Sequence, residues 1–163
     1  MTFEELQLTD ENGINEMSAM ATEIVRAHYD PIIGKEQNDY MIDLFQTPAA
    51  IGGQLEHGYR YYYVQEKGRQ IGFLAFYPRE DAMYLSKFYL YKKERRKGYS
   101  RQMLDFVIHT AKEEGLSAVE LNVNRNNDAV YAYEKLGLQI IRTEKNDIGN
   151  GFFMDDYVFR LQF

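Results

Sequence analysis

The stretch Arg95-Arg96-Lys97-Gly98-Tyr99-Ser100 decides the fold of this chain. A strand pattern rich in aromatic residues precedes it, and an amphipathic helix pattern begins at Tyr99, so the stretch joins a strand to a helix. The N-terminus of a helix offers unpaired backbone N–H groups and partial positive charge, and Gly98 and Ser100 are small enough to let an anion approach. The junction is therefore a candidate phosphate-binding loop, although a solvated basic turn has the same composition.

The glycine spacing excludes two common phosphate-binding motifs. The stretch is neither the G-x-G-x-x-G of dinucleotide folds nor the G-x-x-x-x-G-K-[ST] of P-loops. If it binds phosphate, it does so as part of another fold.

Hydrophobic periodicity predicts alternating strands and helices along the rest of the chain. In the first half of the chain it predicts a strand at 3–8, a helix that stops at Asp30-Pro31, a helix at 35–45, a weak helix interrupted by Gly52-Gly53 and three strands between 59 and 91. In the second half it predicts a helix from 99 to Gly115, a strand at 118–123 and a helix at 126–136. A strand starting at 138–142, a polar loop at 144–151 and a last strand that ends at 163 complete the chain. This order predicts an α+β fold in a single domain over 1–163. Its sheet would be mixed, mostly antiparallel and twisted, with about seven strands flanked by four or five helices.

A second pattern lies about 30 residues after the loop. Residues 126–138 read N-N-D-A-V-Y-A-Y-E-K-L-G-L, in which Ala129 and Tyr133 share one helix face and Gly137 is placed to end the helix. Asn126 is the expected cap of this helix. The pattern resembles N-x-x-A-x-x-x-Y-x-x-x-G-F of the GNAT acetyltransferase superfamily, and the loop at 95–100 resembles the [RQ]-x-x-G-x-[GA] signature of the same superfamily. Ser100 and Leu138 depart from the usual residues, but the two patterns occur in the right order.

The resemblance implies an acetyl-coenzyme A site in a splayed cleft between the strands at 82–91 and 118–123. It also implies a direct transfer in which Tyr133 is the general acid and protonates the departing thiolate. Either Asn126 or Asn127 fills the asparagine role. The cofactor-binding residues that the resemblance implies are Phe88, Tyr89, Leu90, Arg95, Arg96, Lys97, Gly98, Tyr99, Ser100, Arg101, Asn126, Ala129 and Tyr133.

The general base stays open. Relatives place a Glu on the strand before the loop, where this chain reads Leu85-Ser86-Lys87-Phe88; Glu120, Asp155 and Asp156 are alternatives. Asp155 and Asp156 are also candidates for holding a cationic amine, in a C-terminal segment that looks similar to that of bacterial polyamine N-acetyltransferases. An acidic strand start that faces solvent explains them equally well.

Three functions fit these patterns. The first is an acetyltransferase for a small-molecule primary amine such as a polyamine. The second is a protein N-terminal or lysine acetyltransferase, and the third is a non-catalytic acyl-coenzyme A-binding module, against which Tyr133 argues. A homodimer is expected from the resemblance and from the frequency of two-fold assemblies.

Composition excludes several other classes. A net charge of −6 and a pI near 5.1 argue against broad nucleic-acid binding, which needs a basic field. The absence of cysteine excludes disulfides, thiolate catalysis and Cys-based zinc sites, and the three histidines have no ligand-like spacing, so no metal is expected. No apolar run approaches the length of a membrane span, and the N-terminal residues do not resemble a signal peptide, so a cytoplasmic protein is expected.

Overall fold

The helices and strands of the structure, a computed structural model, cover most of the chain from Met1 to Phe163, and all 163 residues are described. The elements are β1 (Thr2–Glu5), α1 (Glu11–Ile33), α2 (Lys35–Phe45), α3 (Pro48–Glu56), β2 (Arg60–Glu66), β3 (Arg69–Arg79), β4 (Ala82–Leu90), a 3₁₀ turn (Lys92–Glu94), α4 (Tyr99–Glu113), β5 (Ala118–Asn124), α5 (Ala129–Lys135), β6 (Gln139–Gly149) and β7 (Phe152–Gln162).

The seven strands form one sheet in the order β1-β2-β3-β4-β5-β7-β6. Strands β4 and β5 run parallel, whereas β1–β2, β2–β3, β5–β7 and β6–β7 are antiparallel pairs. The prediction of an α+β fold with a mostly antiparallel, seven-stranded sheet flanked by four or five helices is confirmed, and the structure has five α-helices.

The chain divides into two compact units. The first consists of Met1–Tyr77 and Lys87–Gln102, and the second of Pro78–Ser86 and Met103–Phe163. The loop at 95–100 belongs to the first unit, and the pattern at 126–138 belongs to the second. The expectation of a single domain over the whole chain stays a prediction.

The core of the first unit joins helices α1 and α3 to strands β2 and β3. Met17 and Ala21 of α1, Ile51 of α3, Tyr61 of β2 and Phe73 of β3 are all fully buried in one hydrophobic cluster. Burial of large apolar and aromatic side chains is the main driving force for folding, so this cluster fixes α1 and α3 to their part of the sheet.

The parallel pairing of β4 with β5 is short. Only three residue pairs join them, from Ala82–Ala118 to Tyr84–Glu120, although β4 continues to Leu90. In contrast, β5 pairs with β7 over all seven of its residues. The expected splay of these two strands stays a prediction.

The prediction that the first helix stops at Asp30-Pro31 is wrong. Helix α1 continues through Pro31 to Ile33 and ends at Gly34, whose φ of 86° is a left-handed conformation that favours glycine. Asp30 is held in the helix because its carboxylate accepts a hydrogen bond from the Asn38 amide, 2.7 Å away. This contact with α2 offsets the local preference of a residue before proline for extended backbone.

The third helix is continuous, in contrast to the expected interruption at Gly52-Gly53. The Thr47 side chain accepts a hydrogen bond from Ala50 N at 3.1 Å, Pro48 occupies the first turn, and Ile51 is fully buried. Capping and burial therefore outweigh the roughly 1 kcal/mol that each glycine costs in a helix.

The polar loop predicted at 144–151 is also wrong, because β6 runs from Gln139 to Gly149 and turns directly into β7. Its polar residues pair along β7, from Glu144 opposite Asp156 to Gly149 opposite Phe152. Pairing with a neighbouring strand overrides the weak intrinsic strand preference of charged residues. The remaining differences are shifts of element ends: β1 covers Thr2–Glu5, and α5 begins at Ala129.

Candidate active site

The loop at 95–100 is braced by a buried carboxylate that precedes it. Glu94 is 3% exposed. The Arg69 guanidinium donates two hydrogen bonds to its carboxylate, with Nε 3.2 Å from Oε1 and Nη2 3.0 Å from Oε2. Lys97 Nζ lies 3.3 Å from Oε2. The hydrogen bonds from Arg69, supported by those from Lys97, lower the pKa of Glu94 to about 2, so the brace stays ionised throughout the neutral range.

The brace shapes a loop with two left-handed residues. Arg96 has a φ of 63° and Gly98 a φ of 81°. A Cβ added to Gly98 would meet no atom within 4 Å, so the space beside this glycine is open. The backbone between Lys97, which is paired with Glu94, and the first turn of α4 is therefore accessible to a ligand.

The first turn of α4 favours an anion. Its leading N–H groups have no partner within the helix, and no acidic residue occupies the first turn to compete for them. Arg96, Lys97 and Arg101 surround this terminus and are exposed. These residues fit a pyrophosphate group, because they combine unpaired N–H donors, open space and positive charge.

The end of β4 is held by close backbone packing on β3. A Cβ added to Gly72 would lie 2.1 Å from the carbonyl oxygen of Tyr89, so this strand approach requires glycine. The Tyr89 ring packs against Phe73, with ring centroids 5.3 Å apart, and Arg95 Nη2 lies 3.5 Å from Leu90 O. The predicted cofactor residues Phe88, Tyr89 and Leu90 therefore lie on a fixed strand that leads into the braced loop.

The region around α5 differs from the prediction in one residue. The side chain that accepts a hydrogen bond from the start of the helix is that of Asn127 and not that of Asn126: Asn127 is 4% exposed, and its Oδ1 accepts from Ala129 N at 2.9 Å. Asp128, directly before the helix, makes no capping bond with its side chain. Asn126 is exposed, and its backbone N–H donates to Asn124 Oδ1. A turn at Arg125-Asn126, closed by the hydrogen bond from Asn127 N to Asn124 O, places the second asparagine beside the helix start, and the sequence pattern could not distinguish it from the first.

Tyr133 lies in the middle of α5 and is half-buried. Its ring packs against Phe159 of β7, with centroids 5.7 Å apart. Gly137, with a φ of 97°, ends the turn, and Leu138 N donates to Tyr133 O. The side chain predicted to be the general acid is therefore oriented by an aromatic neighbour and by the end of its own helix.

The candidate bases have different surroundings. Glu120 lies 3.0 Å from Arg160 and 3.6 Å from Arg79, and Asp155 lies 2.6 Å from Arg125, so both are committed to ion pairs. Asp156 follows Asp155 in β7, and consecutive strand residues point to opposite faces, so the two carboxylates do not form a joint site.

Asp156 is the exception among these carboxylates because it is 3% exposed and has no ion pair. Asn122 Nδ2 donates to Asp156 Oδ2 at 3.3 Å and to Glu144 Oε1 at 3.1 Å, and Tyr84 donates to Asn122 Oδ1. Burial, together with the nearby Glu144, raises the pKa of Asp156, although the Asn122 hydrogen bond opposes this. Asp156 was a candidate from the sequence, whereas Asn122 and Glu144 were not, because only the pairing of β5, β6 and β7 brings these residues together.

The ion pair of Arg69 with Glu94 could not be predicted from the sequence. Arg69 and Glu94 are 25 positions apart, and no motif links them. The one weak indication in the sequence is that Glu94, an acidic residue, lies directly before a basic loop.

No group of three His, Cys, Asp or Glu side chains lies close enough together to hold a metal ion. None of the five helices has the length and apolar character required to cross a membrane.

A model of the acetyltransferase (GNAT) family matches residues 20–138. The chain belongs to the GNAT acetyltransferase family. Its enzyme class is therefore that of an N-acetyltransferase. The family match spans both the loop at 95–100 and the pattern at 126–138, which confirms the resemblance on which the two motifs were predicted.

Solved GNAT structures share the fold at low sequence identity. The PaiA N-acetyltransferase of Thermoplasma acidophilum, in complex with coenzyme A, is 16% identical with a TM-score of 0.77, and the match covers 100% of both chains. A GNAT acetyltransferase of Elizabethkingia anophelis with acetyl-CoA bound is 17% identical, with a TM-score of 0.65, over 99% of this chain and 97% of that one.

A third similar structure is the ribosomal-protein-S18-alanine N-acetyltransferase of Escherichia coli. It is 18% identical with a TM-score of 0.66, over 99% of this chain and 92% of that one. No curated protein sequence matches this chain significantly. These likenesses support the fold alone, because all three identities lie below 20%.

Proposed function

We propose that this GNAT protein transfers the acetyl group of acetyl-coenzyme A directly to a primary amine of a small molecule, in the manner of a polyamine acetyltransferase. The observation that carries the proposal is the loop at 95–100, with its left-handed Gly98 beside open space and its brace on Glu94. Similar structures contain coenzyme A or acetyl-CoA, which supports the choice of cofactor. The cofactor supplies an activated thioester and a thiolate leaving group.

The loop would hold the pyrophosphate. The backbone from Arg96 to Ser100 and the first turn of α4 donate N–H groups, while Arg96, Lys97 and Arg101 add charge. Upstream, the backbone of Phe88 and Leu90 would bind the pantetheine arm as an added strand, and Leu90 N–H would polarise the thioester carbonyl. The protein's main contribution is to position the two reactants.

In the second unit, Tyr133 would donate the proton that the departing sulfur needs. Ala129, one turn earlier on the same helix face, is small and leaves space beside the tyrosine. Asn126 remains the proposed cofactor contact, since it is exposed whereas the Asn127 side chain is used at the helix start. Asp156 is the proposed base for the acceptor ammonium, because it is a carboxylate without an ion pair and has a raised pKa.

The acidic net charge of −6 and the Asp156–Glu144 pair support a cationic acceptor. Thiol release from acetyl-CoA, measured with a panel of polyamines, amino acids and peptides, tests this choice. We expect turnover with spermidine-like amines and none with peptides. Turnover with peptides alone would instead indicate a protein acetyltransferase, and coenzyme A binding without any turnover would indicate a non-catalytic module.

Removing the brace is expected to weaken cofactor binding. Glu94→Gln keeps the shape of the side chain but loses the charge that fixes Arg69 and Lys97, so the loop leaves its binding geometry. We expect the Kd for coenzyme A, measured by calorimetry, to rise about 10-fold. The exposed Glu56→Gln on α3 is the control, and an equal Kd for both variants would show that the brace has no role in binding.

A further inference from the structure

Lys87 is a buried basic side chain that the proposed reaction does not use. It lies in β4, one residue before Phe88, and is only 5% exposed. Its Nζ donates to Phe45 O at 2.6 Å and to Gln46 Oε1 at 2.9 Å. Phe45 is the last residue of α2 and Gln46 begins the turn to α3, so one side chain ties the strand to this turn.

The turn is itself anchored by three other elements. Gln46 O accepts a hydrogen bond from Ser18 of α1 at 2.6 Å, and Phe45 O accepts a second one from Gln54 of α3 at 3.2 Å. The hydroxyl of Tyr61 in β2 donates to Gln54 Oε1. Lys87 therefore connects β4 to a buried polar network that includes all three N-terminal helices, and such networks hold their members in one arrangement when every bond is made.

The surroundings of the Lys87 amine are polar but uncharged. Its two hydrogen-bond acceptors are neutral carbonyl oxygens, at the C-terminal end of α2 where the helix dipole favours a cation. The Tyr61 ring centroid lies 5.1 Å from Nζ, and burial raises the pKa of the Tyr61 hydroxyl, so that this group stays neutral. Ser18, Gln46 and Gln54, the other polar side chains of the network, do not titrate. Burial without a compensating carboxylate lowers the pKa of Lys87 to about 7.

We propose that Lys87 is a positioning residue that holds the backbone of Phe88 and Leu90 in line for the cofactor. The inference rests on the proposed function, in which this backbone binds the pantetheine arm. The ammonium form makes charge-assisted hydrogen bonds to the α2–α3 turn, which are stronger than those of the neutral amine. The protonated protein therefore holds β4 more firmly than the neutral one.

This difference couples the protonation of Lys87 to cofactor binding. Because linkage is reciprocal, a cofactor that prefers the firmly held strand binds more tightly when Lys87 is charged, and its binding promotes proton uptake. Cofactor affinity should thus fall as the pH rises through about 7. The free energy of unfolding changes with pH in the opposite direction. The Lys87 amine loses its proton near pH 7 in the folded state and near pH 10.5 in the unfolded chain, so its contribution to the free energy of unfolding increases with pH between these values.

The test compares the wild-type protein with Lys87→Met and with Lys67→Met, a matched change in the exposed turn between β2 and β3. The Kd for coenzyme A is measured by calorimetry at pH 6.5 and 8.5 in two buffers of different ionisation enthalpy, which also reports proton uptake. For the wild type and Lys67→Met we expect about fivefold weaker binding at the higher pH than at the lower, beyond any change seen in Lys87→Met. Lys87→Met should also take up fewer protons on binding.

The same pH dependence and proton uptake in Lys87→Met as in the wild type would overturn the proposal. If circular dichroism shows that Lys87→Met is unfolded, Lys87→Arg replaces it, since arginine stays charged at both pH values. The affinity of Lys87→Arg should then lack the fivefold decrease, and a decrease equal to that of the wild type would contradict the role of Lys87. A wild-type protein that binds no coenzyme A at either pH is a distinct result, which rejects the proposed function itself.

Discussion

Replacing Tyr133 with Phe is expected to lower kcat about 100-fold and to leave the Kd for coenzyme A unchanged. The hydroxyl is the proposed donor of the proton to the departing thiolate, and loss of a general acid typically costs 10²–10⁴ in rate. Packing should survive, because the contact with Phe159 involves the ring and not the hydroxyl. Thiol release under saturating acetyl-CoA gives kcat, and calorimetry gives the Kd.

The control for this variant is Tyr131→Phe. Tyr131 lies two residues earlier on the same helix and is 68% exposed, so it tests whether any loss of a tyrosine hydroxyl from α5 affects the rate. We expect Tyr131→Phe to turn over like the wild type. If Tyr133→Phe does so as well, the general acid has to be another group.

Gly72→Ala is expected to produce the largest loss of stability, about 2–3 kcal/mol in the free energy of unfolding. The new methyl group would meet backbone rather than a flexible side chain: Tyr89 O lies 2.1 Å away and Leu90 Cα 3.0 Å away. The strand β4 would have to move, so the Kd for coenzyme A should rise as well. Chemical denaturation and calorimetry measure the two effects.

Gly53→Ala provides the opposite case. Gly53 lies inside α3, and a Cβ there meets nothing within 4 Å, so alanine should raise the free energy of unfolding by about 0.5–1 kcal/mol. Equal effects of the two substitutions would mean that the close approach of β3 and β4 does not require glycine at position 72.

Patterns local in the sequence predicted the fold well. The second helix is confirmed at Lys35–Phe45, because helical periodicity depends on residues a few positions apart. The predictions failed where distant partners decide the structure. Asn38 holds the last turn of α1 across Pro31, and β7 keeps the polar residues of β6 in a strand.

In the candidate site, too, local patterns were predicted and contacts between distant residues were not. The loop at 95–100 and Tyr133 were found because family motifs are short stretches of sequence. The brace from Arg69 to Glu94, the connection from Lys87 to Phe45 and the cluster around Asn122 were missed. Each joins residues at least 22 positions apart, and a single sequence contains no information on which of its many charged and polar residues will meet.

The outer edge of the sheet is formed by β6, whose residues are mostly exposed along its whole length. Such an edge presents unpaired backbone groups to any passing strand and is a route to aggregation. Here Arg142, Glu144, Lys145 and Asp147 place both signs of charge along it. A strand that added to this edge would have to desolvate these charges. The polar residues that made β6 hard to predict as a strand therefore also protect the protein from self-association at this edge.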